Sequence, residues 1–144
     1  MSVQRLEPRL LAGVASLEKA VFERPWSEQA LTLLCGESAF GFAFVTGDTV
    51  SAYGGMLTVL DEGQITNIAT HPDHRRKGLA GAVLSALLAE ARARGIVSVT
   101  LEVRVSNAAA IALYEKFGFM AVGKRPRFYT NPTEDALIMQ CVLA

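Results

Sequence analysis

The stretch His71-Pro72-Asp73-His74-Arg75-Arg76-Lys77-Gly78-Leu79-Ala80-Gly81 sets a run of cations directly before a run of small residues. An extended segment precedes it and a long helical pattern follows, so its end coincides with a helix start. There the first backbone N–H groups lack intrahelical partners and carry about half a positive charge, an arrangement that suits a phosphate. Gly78, Ala80 and Gly81 would let a pyrophosphate approach the backbone closely, and Arg75, Arg76 and Lys77 add charge at the rim. The same residues also read as a solvated basic turn capping a helix. The run lacks the Lys-Ser/Thr pair of a P-loop and the three spaced glycines of a dinucleotide fingerprint.

Three further residues carry chemistry by type and place. Glu102 lies at the C-terminal end of an extended segment, where α/β sheets commonly position reacting groups; it also fits a solvent-facing strand residue. Tyr114 falls on the helical stripe Ala110, Leu113, Tyr114, Phe117, so it reads equally as a core aromatic. Asn107 stands where an N-cap is needed.

Periodicity supplies the frame for these residues. A short strand is expected at Val3–Leu6, then a helix opened by Pro8 with Leu10, Leu11, Val14, Leu17 and Val21 on one stripe. Ser27 is the N-cap of a second helix running to about Leu34. Strands at Phe40–Val45, Val50–Leu60 and Gln64–Thr70, joined by the turns Thr46-Gly47-Asp48 and Asp61-Glu62-Gly63, form an antiparallel meander. The period then changes to helical, with Leu79, Val83, Leu84, Leu87, Leu88 and Ala91 on a stripe that ends at Gly95. A strand Ile96–Val103 follows, then a helix Ala108–Phe117 stopped by Gly118, and strands near Phe119–Arg125 and Ala136–Val142. Strand, helix, strand over residues 64–103 is a crossover unit, whose two strands should be parallel neighbours. The expected fold is a mixed, mostly antiparallel α/β sheet covered by helices, in one domain over residues 1–144.

At 144 residues, with 51% hydrophobic and 19% charged side chains, the chain is long and apolar enough for a sizeable core. Lys+Arg and Asp+Glu balance at 14 each, so no global field recommends a nucleic acid or an anionic membrane as partner. MSVQRLEPRL has no apolar run or cleavage site of a secretory signal, and no stretch is apolar enough to span a membrane. Cys35 and Cys141, far apart, fit buried thiols in a reducing compartment. His71 and His74 lack the further ligands a zinc site needs. A soluble, cytoplasmic, metal-free protein is expected.

Arg75-x-x-Gly78-x-Ala80 matches the pyrophosphate-binding signature of the Gcn5-related N-acetyltransferases, and Asn67-Ile68-Ala69-Thr70-His71-Pro72 resembles the strand that precedes it there. The segment from Leu101-Glu102-Val103-Arg104 through Asn107 and Tyr114 to Phe119 is similar to the branch acting on ribosomal-protein alanine (RimI-type). So are Pro25-Trp26-Ser27-Glu28 and Glu134-Asp135-Ala136-Leu137-Ile138-Met139. Together these motifs cover most of the chain.

This resemblance implies the fold of that family and acetyl-coenzyme A as acetyl donor. Its pyrophosphate would sit on Arg75, Arg76, Lys77, Gly78, Leu79, Ala80 and Gly81, and its pantetheine arm would lie along Ile68, Ala69 and Thr70 like an added strand. It also implies Glu102 as general base, Tyr114 as proton donor to the departing thiolate, and Asn107 as a coenzyme A contact beside its capping role. Trp26 and Tyr129 would hold the acceptor, Tyr129 from a loop Arg125–Asp135. The acceptor implied is a protein N-terminus, for the RimI-type branch that of a ribosomal protein. Near pH 7 roughly one α-amine in ten is neutral, against about one lysine in a few thousand, so the α-amine is the easier nucleophile for a carboxylate base. Acetylation of a lysine or a small amine stays open. So does a non-catalytic acyl-coenzyme A binding module, which would need neither Glu102 nor Tyr114.

Overall fold

The computed structural model describes residues 2–75 and 77–143. Seven strands form one sheet: β1 (Ser2–Arg5), β2 (Ala39–Thr46), β3 (Thr49–Val59), β4 (Glu62–Thr70), β5 (Ser98–Arg104), β6 (Met120–Tyr129) and β7 (Glu134–Val142), in the order β1-β2-β3-β4-β5-β7-β6. Neighbours run antiparallel except β4 and β5, which are parallel and joined by a helical crossover, as the sequence pattern predicts.

Helices α1 (Leu11–Val21) and α2 (Glu28–Leu31) lie on one face; α3 (Leu79–Ala93) and α4 (Ala108–Lys116) lie on the other. The first core packs Leu11, Val14 and Leu17 with Tyr53, Leu31 and Leu34. The second packs Val83, Leu84, Leu87 and Leu88 of the α3 stripe against Phe40, Met56, Val99 and Leu101. Each of those α3 side chains contributes about 1.5–3 kcal/mol by leaving water.

Several boundaries differ from expectation for local reasons. Pro8–Leu10 is a 3-10 turn that leads into α1. The second helix keeps Ser27 as its cap, whose Oγ accepts from the Ala30 N–H, but after Leu31 it tightens into a 3-10 turn, Thr32–Cys35. The β3–β4 hairpin turns at Leu60-Asp61, with Leu60 at φ 56°, so Glu62 and Gly63 already belong to the strand. The expected loop after Arg125 is largely strand: β6 continues to Tyr129 across an irregularity that holds Arg127 at φ 53°. Cys141 is buried, but Cys35 is exposed.

Two irregularities shape the middle of the sheet. Parallel pairing of β4 with β5 runs only from Glu62↔Ser98 to Gln64↔Thr100; beyond it the strands part. On its other side β4 bulges: Ile65 faces Met56 and Ile68 faces Gly54, so Thr66 and Asn67 together oppose Gly55. A Cβ on Gly55 would fall 2.7 Å from both Leu34 Cδ1 and Thr66 Oγ1. Gly55→Ala is therefore expected to lower stability by about 1–3 kcal/mol through overpacking, read as a fall in Tm.

Candidate active site

Where β4 and β5 part, a cleft of about 590 Å³ opens between Gln64–Ile68 and Leu101–Arg104, walled by Trp26, Phe128 and Tyr129. A second cleft, of about 640 Å³, runs from the end of β4 over the start of α3. Ile68, Asn107, Tyr114 and Phe22 line both, so the two clefts meet at Tyr114.

The second cleft collects most of the anion-loop candidates. Ile68, Ala69 and Thr70 form one wall, and Arg75, Gly78, Leu79, Ala80 and Gly81 form its end. β4 pairs with β3 as far as Ala52↔Thr70, but its pairing with β5 stops at Gln64, so Ile68–Thr70 present an edge that β5 does not cover. Gly78 caps α3 at φ 75°, in the left-handed region that favours glycine, and a Cβ there would meet none of the described residues within 4 Å. That openness leaves the first N–H groups of α3 accessible to an anion. Lys77 is exposed and lines neither cleft; Arg76 lies outside the described residues.

Glu102 projects from β5 into the first cleft, its side chain 16% exposed. Gln64 Nε2 stands 3.5 Å from Oε1, at the limit of a hydrogen bond. Oε2 is buried, accepts no hydrogen bond from the described residues, and has the Arg125 guanidinium 3.5 Å away. This carboxylate therefore keeps an oxygen free to accept a proton.

Tyr114 combines both readings of its stripe. The residue is 8% exposed and its ring packs at 5.8 Å on Phe119, yet it lines both clefts, and no described hydrogen bond holds its hydroxyl. Burial, and secondarily the nearby Tyr129, push that hydroxyl up to about 12, so it stays protonated through neutral pH. Asn107 caps α4, its Oδ1 accepting from the Ala110 N–H at 3.2 Å. The cap uses the oxygen and leaves the Nδ2 protons for another acceptor.

Arg104 was not among the expected site residues, although it shares the polar face of β5 with Thr100 and Glu102. It donates to the backbone oxygens of Thr130 (2.8 Å) and Pro132 (3.0 Å) and to Glu134 Oε1 (3.2 Å), and its guanidinium lies 4.6 Å over the Tyr129 ring. The β6–β7 turn and Tyr129 are thereby held against the cleft. The Tyr129 hydroxyl is raised by burial first and by the Glu102 charge second, against the opposing effect of Arg104.

A smaller cleft of about 250 Å³ continues from the first past Trp26 to Glu18, a residue the sequence reading missed. The signal was present: Glu18 follows Leu11 by seven and Val14 by four, which puts a carboxylate on the buried stripe of α1.

The Acetyltransferase (GNAT) family profile matches residues 11–119. The chain belongs to the GNAT family. This GNAT protein is 39% identical over 140 residues to the [ribosomal protein bS18]-alanine N-acetyltransferase of Escherichia coli K12, covering 96% of this chain and 95% of that one. It is 34% identical over 128 residues to the putative bS18-alanine N-acetyltransferase of Bacillus subtilis, covering 88% and 85%. The crystal structure of the Escherichia coli ribosomal-protein-S18-alanine N-acetyltransferase superposes with a TM-score of 0.90 at 37% identity, over 99% of this chain and 94% of that one. Ard1 from Thermoplasma volcanium, at 22% identity and a TM-score of 0.85, shares the fold. The GNAT protein is thus an acetyltransferase whose mixed sheet and crossover match the expected architecture. Among its described residues, no helix is long and apolar enough to cross a membrane.

Proposed function

We propose that the protein moves the acetyl group of acetyl-coenzyme A to the N-terminal α-amine of a protein chain, with the alanine of ribosomal protein bS18 as acceptor, in the cytoplasm where ribosomes are made. The observation that carries this reading is the meeting of the two clefts at Tyr114. One cleft has an open helix start and a free strand edge; the other has a half-free carboxylate and aromatic walls. The donor's pyrophosphate fits the start of α3 beside Arg75 and Gly78, and its amide-bearing arm fits the uncovered edge of Ile68–Thr70. The acceptor enters past Trp26 and Tyr129.

The reaction then follows in a ternary complex. The neutral amine attacks the thioester carbonyl, forming the N–C bond. Glu102 takes the proton that the nitrogen sheds, the C–S bond breaks, and Tyr114 supplies a proton to the leaving sulfur. Acetyl-coenzyme A and an amine become an amide and free coenzyme A thiol.

Thiol release from acetyl-coenzyme A, followed with a panel of peptides, tests the proposal. Expected is turnover on the bS18 N-terminal peptide well above that on lysine-only peptides with a blocked N-terminus. Turnover confined to lysine or small amines would overturn the acceptor assignment. Thermal stabilisation by acetyl-coenzyme A without turnover on any amine would overturn catalysis and favour a binding module.

A further inference from the structure

Glu18 is 0% exposed, and three donors converge on its carboxylate. The Trp26 backbone N–H donates to Oε1 at 2.9 Å; the Tyr53 hydroxyl and Asn67 Nδ2 (3.1 Å) donate to Oε2. Burial pushes the Tyr53 hydroxyl well above its usual value, with the Glu18 hydrogen bond and charge adding to it, so Tyr53 remains a donor. A buried carboxylate accepts only, and the cost of burying it is offset by these donors. The three groups it holds are the entrance of the Trp26 loop, the sheet at β3 and the bulge of β4.

The consequence falls on Asn67. An amide has a donor end and an acceptor end, and its orientation is set by its partners. With Nδ2 committed to Glu18 and lying 3.4 Å from the Tyr53 hydroxyl, Oδ1 must point the other way. Asn67 is half-buried and lines both the first cleft and its extension towards Glu18. No hydrogen bond among the described residues engages its Oδ1. The bulge that places Asn67 and Thr66 opposite Gly55 turns this side chain out of the regular strand alternation.

We infer that Asn67 Oδ1, held outward by the buried Glu18, is the acceptor that binds an N–H of the incoming amine and aims its lone pair at the thioester. Glu18 is a positioning residue acting through Asn67. The pair selects a nucleophile that carries N–H donors, and neither residue lines the cleft assigned to the acetyl donor. This inference rests on the proposed amine acetylation.

The test uses Asn67→Leu, Glu18→Gln and the double variant, with steady-state kinetics on the amine the wild type acetylates and calorimetric binding of coenzyme A. In Glu18→Gln a neutral amide replaces the carboxylate, so nothing forces Asn67 to keep Oδ1 outward. Expected is a rise of about 10- to 100-fold in KM for the amine in each single variant. The double variant should rise no further than Asn67→Leu alone, because both changes act through one oxygen. Coenzyme A affinity should stay within twofold. An unchanged amine KM in Asn67→Leu, with the wild type turning over, overturns the inference and leaves the proposed function standing. A fall in coenzyme A affinity matching the rise in amine KM overturns it as well, since that marks a general loosening of the site. No turnover by the wild type on any amine overturns both.

Discussion

Tyr114→Phe is expected to lower kcat by about 10²–10³-fold, with KM for both substrates changed by less than about threefold. The ring packs against Phe119, and phenylalanine keeps that contact. The hydroxyl makes no described hydrogen bond, so its removal leaves folding nearly untouched, and Tm should move by no more than a few degrees. What is lost is a proton donor at the junction of the clefts. With the hydroxyl pushed up to about 12 and a thiol near 8.5, full transfer to a free thiolate is uphill by about 3.5 units, or about 5 kcal/mol. The sequence alone, using an ordinary tyrosine near 10, gives about 2 kcal/mol. The larger figure still fits within the barrier of about 16 kcal/mol that a turnover of about 10 s⁻¹ implies. It argues that donation accompanies C–S cleavage, while charge is still developing on sulfur. The raised value also fixes the sign of a pH effect. The donor form persists below about 12 and is lost only as pH rises through it, so Tyr114 adds no alkaline limb to kcat between pH 6 and 10. A variant that keeps kcat and loses only KM would assign Tyr114 to packing.

The parts of this site that were legible in the sequence are those written in local patterns. The Arg75–Gly81 run, the Asn107 cap and the Tyr114 stripe each depend on spacing within one element and its flank. The structure brings Ile68–Thr70, Arg75, Gly78–Gly81, Asn107 and Tyr114 to one cleft, and Trp26, Glu102 and Tyr129 to its neighbour. What local pattern could not give is where pairing stops. β4 and β5 separate after Gln64↔Thr100, just before the bulge opposite Gly55, a cross-strand event with no signature within β4 itself. β6 was misread for a related reason. Pro126 and the polar run around it argue for a loop, yet on an outermost strand a proline removes no needed hydrogen bond, and the irregularity between Arg125 and Tyr129 absorbs it. Glu18 was missed because a carboxylate on a helix is ordinarily taken as solvated. Its place on the buried stripe carries the information, and its partners Tyr53 and Asn67 lie 35 and 49 residues away.

Glu102→Gln carries the second large effect: a fall in kcat/KM of about 10²–10³-fold at pH 7. The glutamine preserves the shape and the 3.5 Å approach of Gln64, and it removes the free carboxylate oxygen beside Arg125. The pH dependence of the deficit tells which nitrogen proton Glu102 takes. An α-amine near 7.7–8.0 is roughly one-tenth neutral at pH 7 and almost wholly neutral at pH 9.5. If Glu102 serves to neutralise the nucleophile, solvent does that work at high pH, and the deficit shrinks about five- to tenfold between pH 7 and 9.5. The wild type, with its base in place, gains less over the same range. The Arg125 ion pair does not obstruct this role, because its guanidinium is mostly in water at 58% exposure and screened there. A variant whose kcat/KM equals that of the wild type at every pH would remove Glu102 as the base. A deficit that persists undiminished at pH 9.5 would instead assign it to the proton shed after attack, when the nitrogen already bears the new acyl bond.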